Sequence, residues 1–112
     1  MREKKIVNLL TDTIEVMNKN GKTPADVEFV RFRTRELGSC FCEWDEFEAK
    51  ASSTVYTKDY GGPYINSSLM IVGSNWWMER REYDGLEWWE YMERPNKPKD
   101  YCAPKLLDED VW

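Results

Sequence analysis

The sequence predicts an α+β fold: an N-terminal helix and a short second helix packed on an antiparallel sheet of four or five strands, ending in a three-stranded meander. Three observations predict it. Near the N-terminus Ile6, Leu9, Leu10, Thr13 and Met17 recur at helical spacing. Far downstream, Asp84-Gly85 joins two aromatic-rich runs within Trp76 to Tyr91, the strongest short-range signal for a β-hairpin. Just before it, the apolar run Leu69-Met70-Ile71-Val72 and the turn Gly73-Ser74-Asn75 supply a strand to lie beside the hairpin.

In chain order, the first helix is expected over about Arg2 to Asn20. Val7 and Ile14 widen its apolar stripe, Lys19 lies in the last turn, and Gly21 is a suitable left-handed stop. Thr23-Pro24-Ala25-Asp26 reads as a capped single turn, with Thr23 as cap and Pro24 at the first position. A strand follows, with Val27, Phe29 and Arg31 on one side and Glu28, Val30 and Phe32 on the other. Arg31, Arg33 and Arg35 alternate along it and its extension, forming the one concentrated positive patch in the chain.

A second short strand is expected over Leu37 to Glu43. From Trp44 the spacing of Trp44, Phe47 and Ala51 is helical, and the helix should end near Ser52 or Ser53. The acids at its start suit the positive end of its dipole. Thr54 to Ser68 fits no regular element; it holds Tyr56, Tyr60 and Tyr64 around Gly61-Gly62, and long loops in compact domains often carry function. From about residue 93 onward Pro95, Pro98 and Pro104 mark an extended tail, for which Leu106-Leu107 and Val111-Trp112 are the expected apolar anchors.

The hairpin register decides which tryptophans are outside. A two-residue loop, Asp84-Gly85, pairs Tyr83 with Leu86 and sets Glu79 opposite Glu90, leaving neither face clean. A three-residue loop, Tyr83-Asp84-Gly85, with Gly85 left-handed in a bulge, shifts the pairing by one. Trp76, Met78, Leu86, Trp88 and Met92 then share one face, broken by Arg80, Glu82 and Glu90. The other carries Trp77, Glu79, Arg81, Glu87, Trp89 and Tyr91, with Arg81 opposite Glu87. The bulged loop gives the better segregation and is the expected one.

At 112 residues the chain is expected to form a single domain. Hydrophobic residues at 41% and charged residues at 33% describe a globular chain rather than a disordered one. No apolar run approaches the roughly 20 residues of a membrane span and no signal-peptide core follows Met1, so the expectation is a cytoplasmic protein without a membrane partner. Cys40, Cys42 and Cys102 are an odd number, and with no histidine to complete a metal site they read as free thiols. Neither metal nor cofactor is expected. A net charge of −5 argues against direct nucleic-acid binding.

At the hairpin a resemblance enters. Ile71-Val72-Gly73, Trp76-Trp77-Met78-Glu79-Arg80, Glu82-Tyr83-Asp84-Gly85 and Glu87-Trp88-Trp89-Glu90 resemble a family of small uncharacterised proteins encoded by bacteriophages and prophages. Asp26-Val27, Trp44 with Phe47, and Tyr60-Gly61-Gly62 are similar as well, so the likeness runs from roughly Gly21 to Pro95. It carries over no catalytic or binding residue. It implies the gene context of a mobile element in a bacterial cytoplasm.

Histidine-dependent catalysis, phosphate cradles and serine elbows lack their parts here. The remaining enzymatic option is a carboxylate pair among Glu79, Glu82, Glu87 and Glu90, set against the simpler reading of ion pairs with Arg80 and Arg81. Arg81 beside Trp89 and Arg80 beside Trp88 are candidates for cation–π contact. The expected function is therefore non-enzymatic: a monomer or homodimer that binds a host or defence protein, its acidic charge suiting a basic, nucleic-acid-handling partner. Trp77, Glu79, Arg81, Glu87, Trp89 and Tyr91, with Tyr60 and Tyr64 of the loop, are the candidate binding residues. The second class is a small nucleotide-like ligand stacked on Trp77 or Trp89, with phosphates near Arg31, Arg33 or Arg81.

Overall fold

The computed structural model describes residues 5–110. Two helices pack on antiparallel sheet, as predicted, in the order β1 (Lys5–Asn8), α1 (Leu9–Lys19), β2 (Val27–Thr34), β3 (Gly38–Cys42), α2 (Trp44–Ala51), β4 (Val55–Lys58), β5 (Met70–Gly73), β6 (Trp76–Tyr83) and β7 (Leu86–Glu93). The main sheet has five strands in the order β3-β2-β5-β6-β7, and β1 pairs with β4 in a separate ribbon.

That ribbon departs from expectation. The first helix begins at Leu9, and Lys5–Asn8 is strand, with Ile6 opposite Thr57 and Val7 opposite Tyr56. Residues 2–4 of the expected helix lie outside the described residues. Asn8 enforces the boundary: its side chain accepts from Thr11 N at 3.0 Å, while its amide donates to Ser52 O at 2.9 Å. Leu9 N donates to Thr54 O at 2.8 Å, so the helix start is sewn to the end of α2 and the partner strand β4. Val55-Tyr56-Thr57, inside the stretch that fitted no element, are strand formers that needed this distant partner. At the other end Gly21 adopts φ +73°, the expected left-handed stop.

The meander of β5, β6 and β7 stands as expected, and β2 inserts beside it through the pairs Val30↔Ile71 and Arg31↔Met70. The hairpin register does not stand. Tyr83 pairs with Leu86 and Glu79 with Glu90, across the two-residue loop Asp84-Gly85. Asp84 at φ +53° and Gly85 at φ +86° are both left-handed, the turn whose twist matches the strands it joins. Glu82 supports it by accepting from Gly85 N at 3.0 Å. Trp76, Met78, Arg80, Glu87, Trp89 and Tyr91 therefore share one face, and Trp77, Glu79, Arg81, Trp88, Glu90 and Met92 the other.

Both helices lie on the first of these faces. Leu9 and Met17 of α1, Phe47 and Ala51 of α2 and Tyr56 of β4 close on Val30, Ile71, Trp76, Met78 and Trp89 to form the core. The tail after β7 is exposed through residue 109 and has no strand or α-helix among the described residues. Leu106 and Leu107, expected as anchors, are exposed at 87% and 59%, and Val111-Trp112 lie outside the described residues.

Gly85→Ala is expected to destabilise the protein by more than about 1 kcal/mol. The turn penalises any Cβ at positive φ, and this one would overlap the carbonyl of Tyr60. The denaturation midpoint of the variant checks it, with Asp84→Asn, which tolerates a left-handed backbone, as the mild comparison.

Candidate functional site

The inner face holds a buried network of charged and aromatic side chains. Arg80 is a charged side chain only 2% exposed, and its Nη2 donates to Glu87 Oε1 at 2.9 Å. Its guanidinium lies between two aromatic rings, 4.9 Å from Trp89 and 5.2 Å from Tyr56. Asp12 of α1 sits 3.9 Å from Nη1, accepts a 2.6 Å hydrogen bond from the Tyr56 hydroxyl, and lies 3.7 Å from Lys58 Nζ. Burial, then the hydrogen bond to Asp12, pushes the Tyr56 hydroxyl pKa up to about 12. Trp89 Nε1 donates to Thr13 Oγ1 at 2.9 Å, and that hydroxyl donates onward to Leu9 O. Glu87 also accepts from the backbone N–H groups of Tyr64 and Ile65, which ties the loop after β4 to β7.

Glu87 and Trp89, expected on a binding face, are thus 3% and 5% exposed members of this network. Tyr91 is half-buried and stacked on Trp76, with ring centroids 5.8 Å apart. The register is the cause: a one-residue slip exchanges the two faces of a strand. Arg80 therefore stacks on Trp89, not Trp88, and Glu79 and Glu87 lie on opposite sides of the sheet. Tyr60 and Tyr64 are exposed on the loop, and Tyr64 Oη donates to Asp59, a bond that raises its pKa.

The outer face is covered by neither helix. Cross-strand pairing sets Phe29, Val72, Trp77 and Met92 in one apolar row. The next row reads Phe41, Arg31, Met70, Glu79, Glu90, and beyond it lie Arg33 on β2 and the pair Arg81–Trp88 on the hairpin. Glu79 and Glu90 face each other, and Arg81 bridges both, with Nε 3.1 Å from Glu90. Trp77, Glu79 and Arg81 keep their expected place on this open face; Trp88, Phe29, Phe41, Met70 and Met92 join them. The period-two spacing of Phe29, Arg31 and Arg33 carried that signal, but which side of β2 stays uncovered was not readable without the helices. Phe41 is 67% exposed, an unusual cost for a phenylalanine on regular strand.

A shallow cavity of about 330 Å³ lies along this face, lined by Phe29, Arg31, Met70, Val72, Trp77 and Arg94 among others. On the inner side, an apolar groove of about 500 Å³ runs between α2 and residues 64–69, over Val30, Phe32, Phe47 and Leu69. Its rim residues Glu46 and Lys50 have opposite charges, so it selects no ligand charge. The Cys42 thiol in that groove is raised by burial and by Glu46, Glu43 and Asp45, which keeps it protonated and a weak nucleophile. Among the described residues no group of three or more His, Cys, Asp or Glu side chains could hold a metal ion, and no helix is long and apolar enough to cross a membrane.

Two consequences are measurable. Glu87→Ala removes the carboxylate hydrogen-bonded to buried Arg80 and leaves it the more distant Asp12 alone, and is expected to cost about 3–5 kcal/mol. Glu79→Ala, on the solvated outer face, is expected to cost about 1 kcal/mol or less. Equal losses in denaturant would contradict the buried pair. Tyr56 binds its proton more tightly folded than unfolded, so its contribution to stability is complete below pH 10 and lost as pH rises towards 12. In Tyr56→Phe the alkaline fall in stability across that window is expected to be shallower than in wild type.

No family model, curated protein or solved structure matches this chain, so its residues and their geometry carry the functional reading.

Proposed function

We propose that the protein is a non-enzymatic interaction module that recognises another protein through the open face of its five-stranded sheet. The single observation behind this reading is the aromatic and aliphatic surface that neither helix covers, made by exposed Phe41 and half-buried Phe29, Met70, Val72, Trp77, Trp88 and Met92. A small domain that leaves this much aromatic surface outside its core has a use for it, since Trp and Arg dominate binding hot spots. Arg31, Arg33 and Arg94 edge the face without an acidic partner among the described residues, whereas Arg81 is held by two glutamates. The complementary partner presents an apolar patch bordered by carboxylates.

The hairpin's resemblance to phage and prophage proteins extends the proposal to a gene context. On that reading the module acts in a bacterial cytoplasm as a modulator or inhibitor of a host or defence protein. Enzymatic use of the hairpin acids has less support. Glu79 and Glu90 share Arg81, Glu87 neutralises Arg80, and Glu82 caps the turn, so each carboxylate has a structural role.

Phe41→Ala/Trp88→Ala tests the reading. Both side chains lie outside the core, so the double variant is expected to keep the wild-type melting temperature within a few degrees. Proteins captured by wild type but not by the variant would be purified and titrated directly. The expected result is direct binding to wild type weakened at least tenfold in the variant. Wild type and variant capturing the same set, or no direct binding by the purified candidate, would overturn it.

A further inference from the structure

The cavity on the open face has a chemistry of its own. Its floor is the cross-strand row Phe29, Val72 and Trp77, with Met70 alongside, and Arg31 and Arg94 stand at its edge. Arg94 is fixed there by its backbone, whose N–H donates to Asn75 O at 2.7 Å. Arg31 is oriented by a 3.1 Å bond from Nη2 to Ser39 Oγ, and the rest of its donor fork has no partner among the described residues. Neither guanidinium has a carboxylate within ion-pair distance among the described residues, although the chain carries 21 Asp and Glu against 16 Lys and Arg. The acids of the same face, Glu79 and Glu90, are occupied by Arg81.

We infer that this cavity binds a nucleoside phosphate, its base stacked on Trp77 and Phe29 and its phosphates held by Arg31 and Arg94. A planar π-face accepts any base, which is why aromatic floors serve nucleotides without sequence preference. Guanidinium forks match phosphate oxygens in pairs, and a flanking pair of them selects an anion over a neutral aromatic. The cavity volume, about 330 Å³, is at the lower end of small-ligand sites and suits one base rather than a folded partner. The register excludes the other placements open at the sequence level. Trp89 is in the core, and Arg81 is already engaged by two carboxylates. The ligand's source is either a free nucleotide or a nucleotide unit within a single strand, which share this chemistry. The site does not rest on the protein-partner reading, which is tested through Phe41 and Trp88, and neither of those residues lines the cavity.

The test is calorimetric titration of the full chain with adenosine triphosphate, adenosine, inorganic tripolyphosphate and a 5′-phosphorylated oligodeoxythymidylate. Adenosine triphosphate is expected to bind at least tenfold more tightly than adenosine or tripolyphosphate, with affinity falling as salt rises. In Arg31→Gln/Arg94→Gln, both exposed positions, binding should drop at least tenfold with the melting temperature unchanged. Trp77→Phe, which keeps a ring, should bind, and Phe41→Ala/Trp88→Ala should bind as wild type does. An oligonucleotide that binds more tightly with length assigns the site to a strand; one no tighter than the mononucleotide assigns it to a free nucleotide. Absence of binding by every probe at millimolar concentration, tripolyphosphate binding as tightly as adenosine triphosphate, or undiminished binding in the double arginine variant overturns the inference.

Discussion

A single buried cation organises this protein. Arg80 lies on the inner face of β6, closed in by the rings of Tyr56 and Trp89 and paired with Glu87, with Asp12 on its far side. Its Nε and Nη1 have no hydrogen-bond partner among the described residues, so the two aromatic faces and the two carboxylates carry the compensation for a desolvated charge. Such an arrangement adds little net stability compared with an apolar core of equal volume. What it supplies is discrimination. Slipping β7 by one residue would turn Glu87 to solvent and leave Arg80 against Trp88 without its hydrogen-bonded carboxylate, with the more distant Asp12 as its remaining counter-charge.

The same network joins parts of the chain that have no other reason to meet. Thr13 receives the Trp89 indole, Asp12 the Tyr56 hydroxyl, and Glu87 the backbone of the loop after β4, so α1, β4, the loop and the hairpin lock at one place. The tryptophans are divided as a result. Trp76 and Trp89 fill the core while Trp77 and Trp88 stand on the side that no helix covers. The helices are short, 11 and 8 residues, and both are committed to the inner face. The outer face is covered by neither of them.

Much of this was legible in the residues. The stripe of α1, the Trp44-Phe47-Ala51 spacing of α2, the strand from Val27 and the meander all follow from local periodicity, and all are present. Thr13 was legible as a stripe position, though not as the acceptor for an indole 76 residues away. The ribbon of β1 and β4 was missed because Ile6 and Val7 fit a helical stripe equally well, and only pairing with Thr57 and Tyr56 decides between them. The hairpin register failed for a related reason. Segregating apolar from charged residues favoured the bulged loop, because a charged pair in the core looks like an error in any pattern count. Asp12, Tyr56 and Trp89 remove that objection: Trp89 stands opposite Arg80 in the two-residue register, but Asp12 and Tyr56 are distant from it in sequence and no local periodicity brings them there.

Electrostatics shows the same limit of chain-wide description. A net charge of −5 suggests a basic partner, yet it describes no particular surface. The acids gather around α2, at Glu43, Asp45, Glu46 and Glu48, and in the tail at Asp108 and Glu109. Arg31, Arg33 and Arg94 edge the open face. At physiological salt, charges on exposed surfaces are largely screened beyond about 8 Å. With strands about 4.8 Å apart, that distance covers fewer than two strands. A ligand in the cavity that Arg31 and Arg94 both line would therefore experience those two charges directly, while the α2 acids lie across the thickness of the sheet. The local sign of the face, not the sign of the chain, sets the field there, and on the outer face of β2 Arg31 and Arg33 make that sign positive.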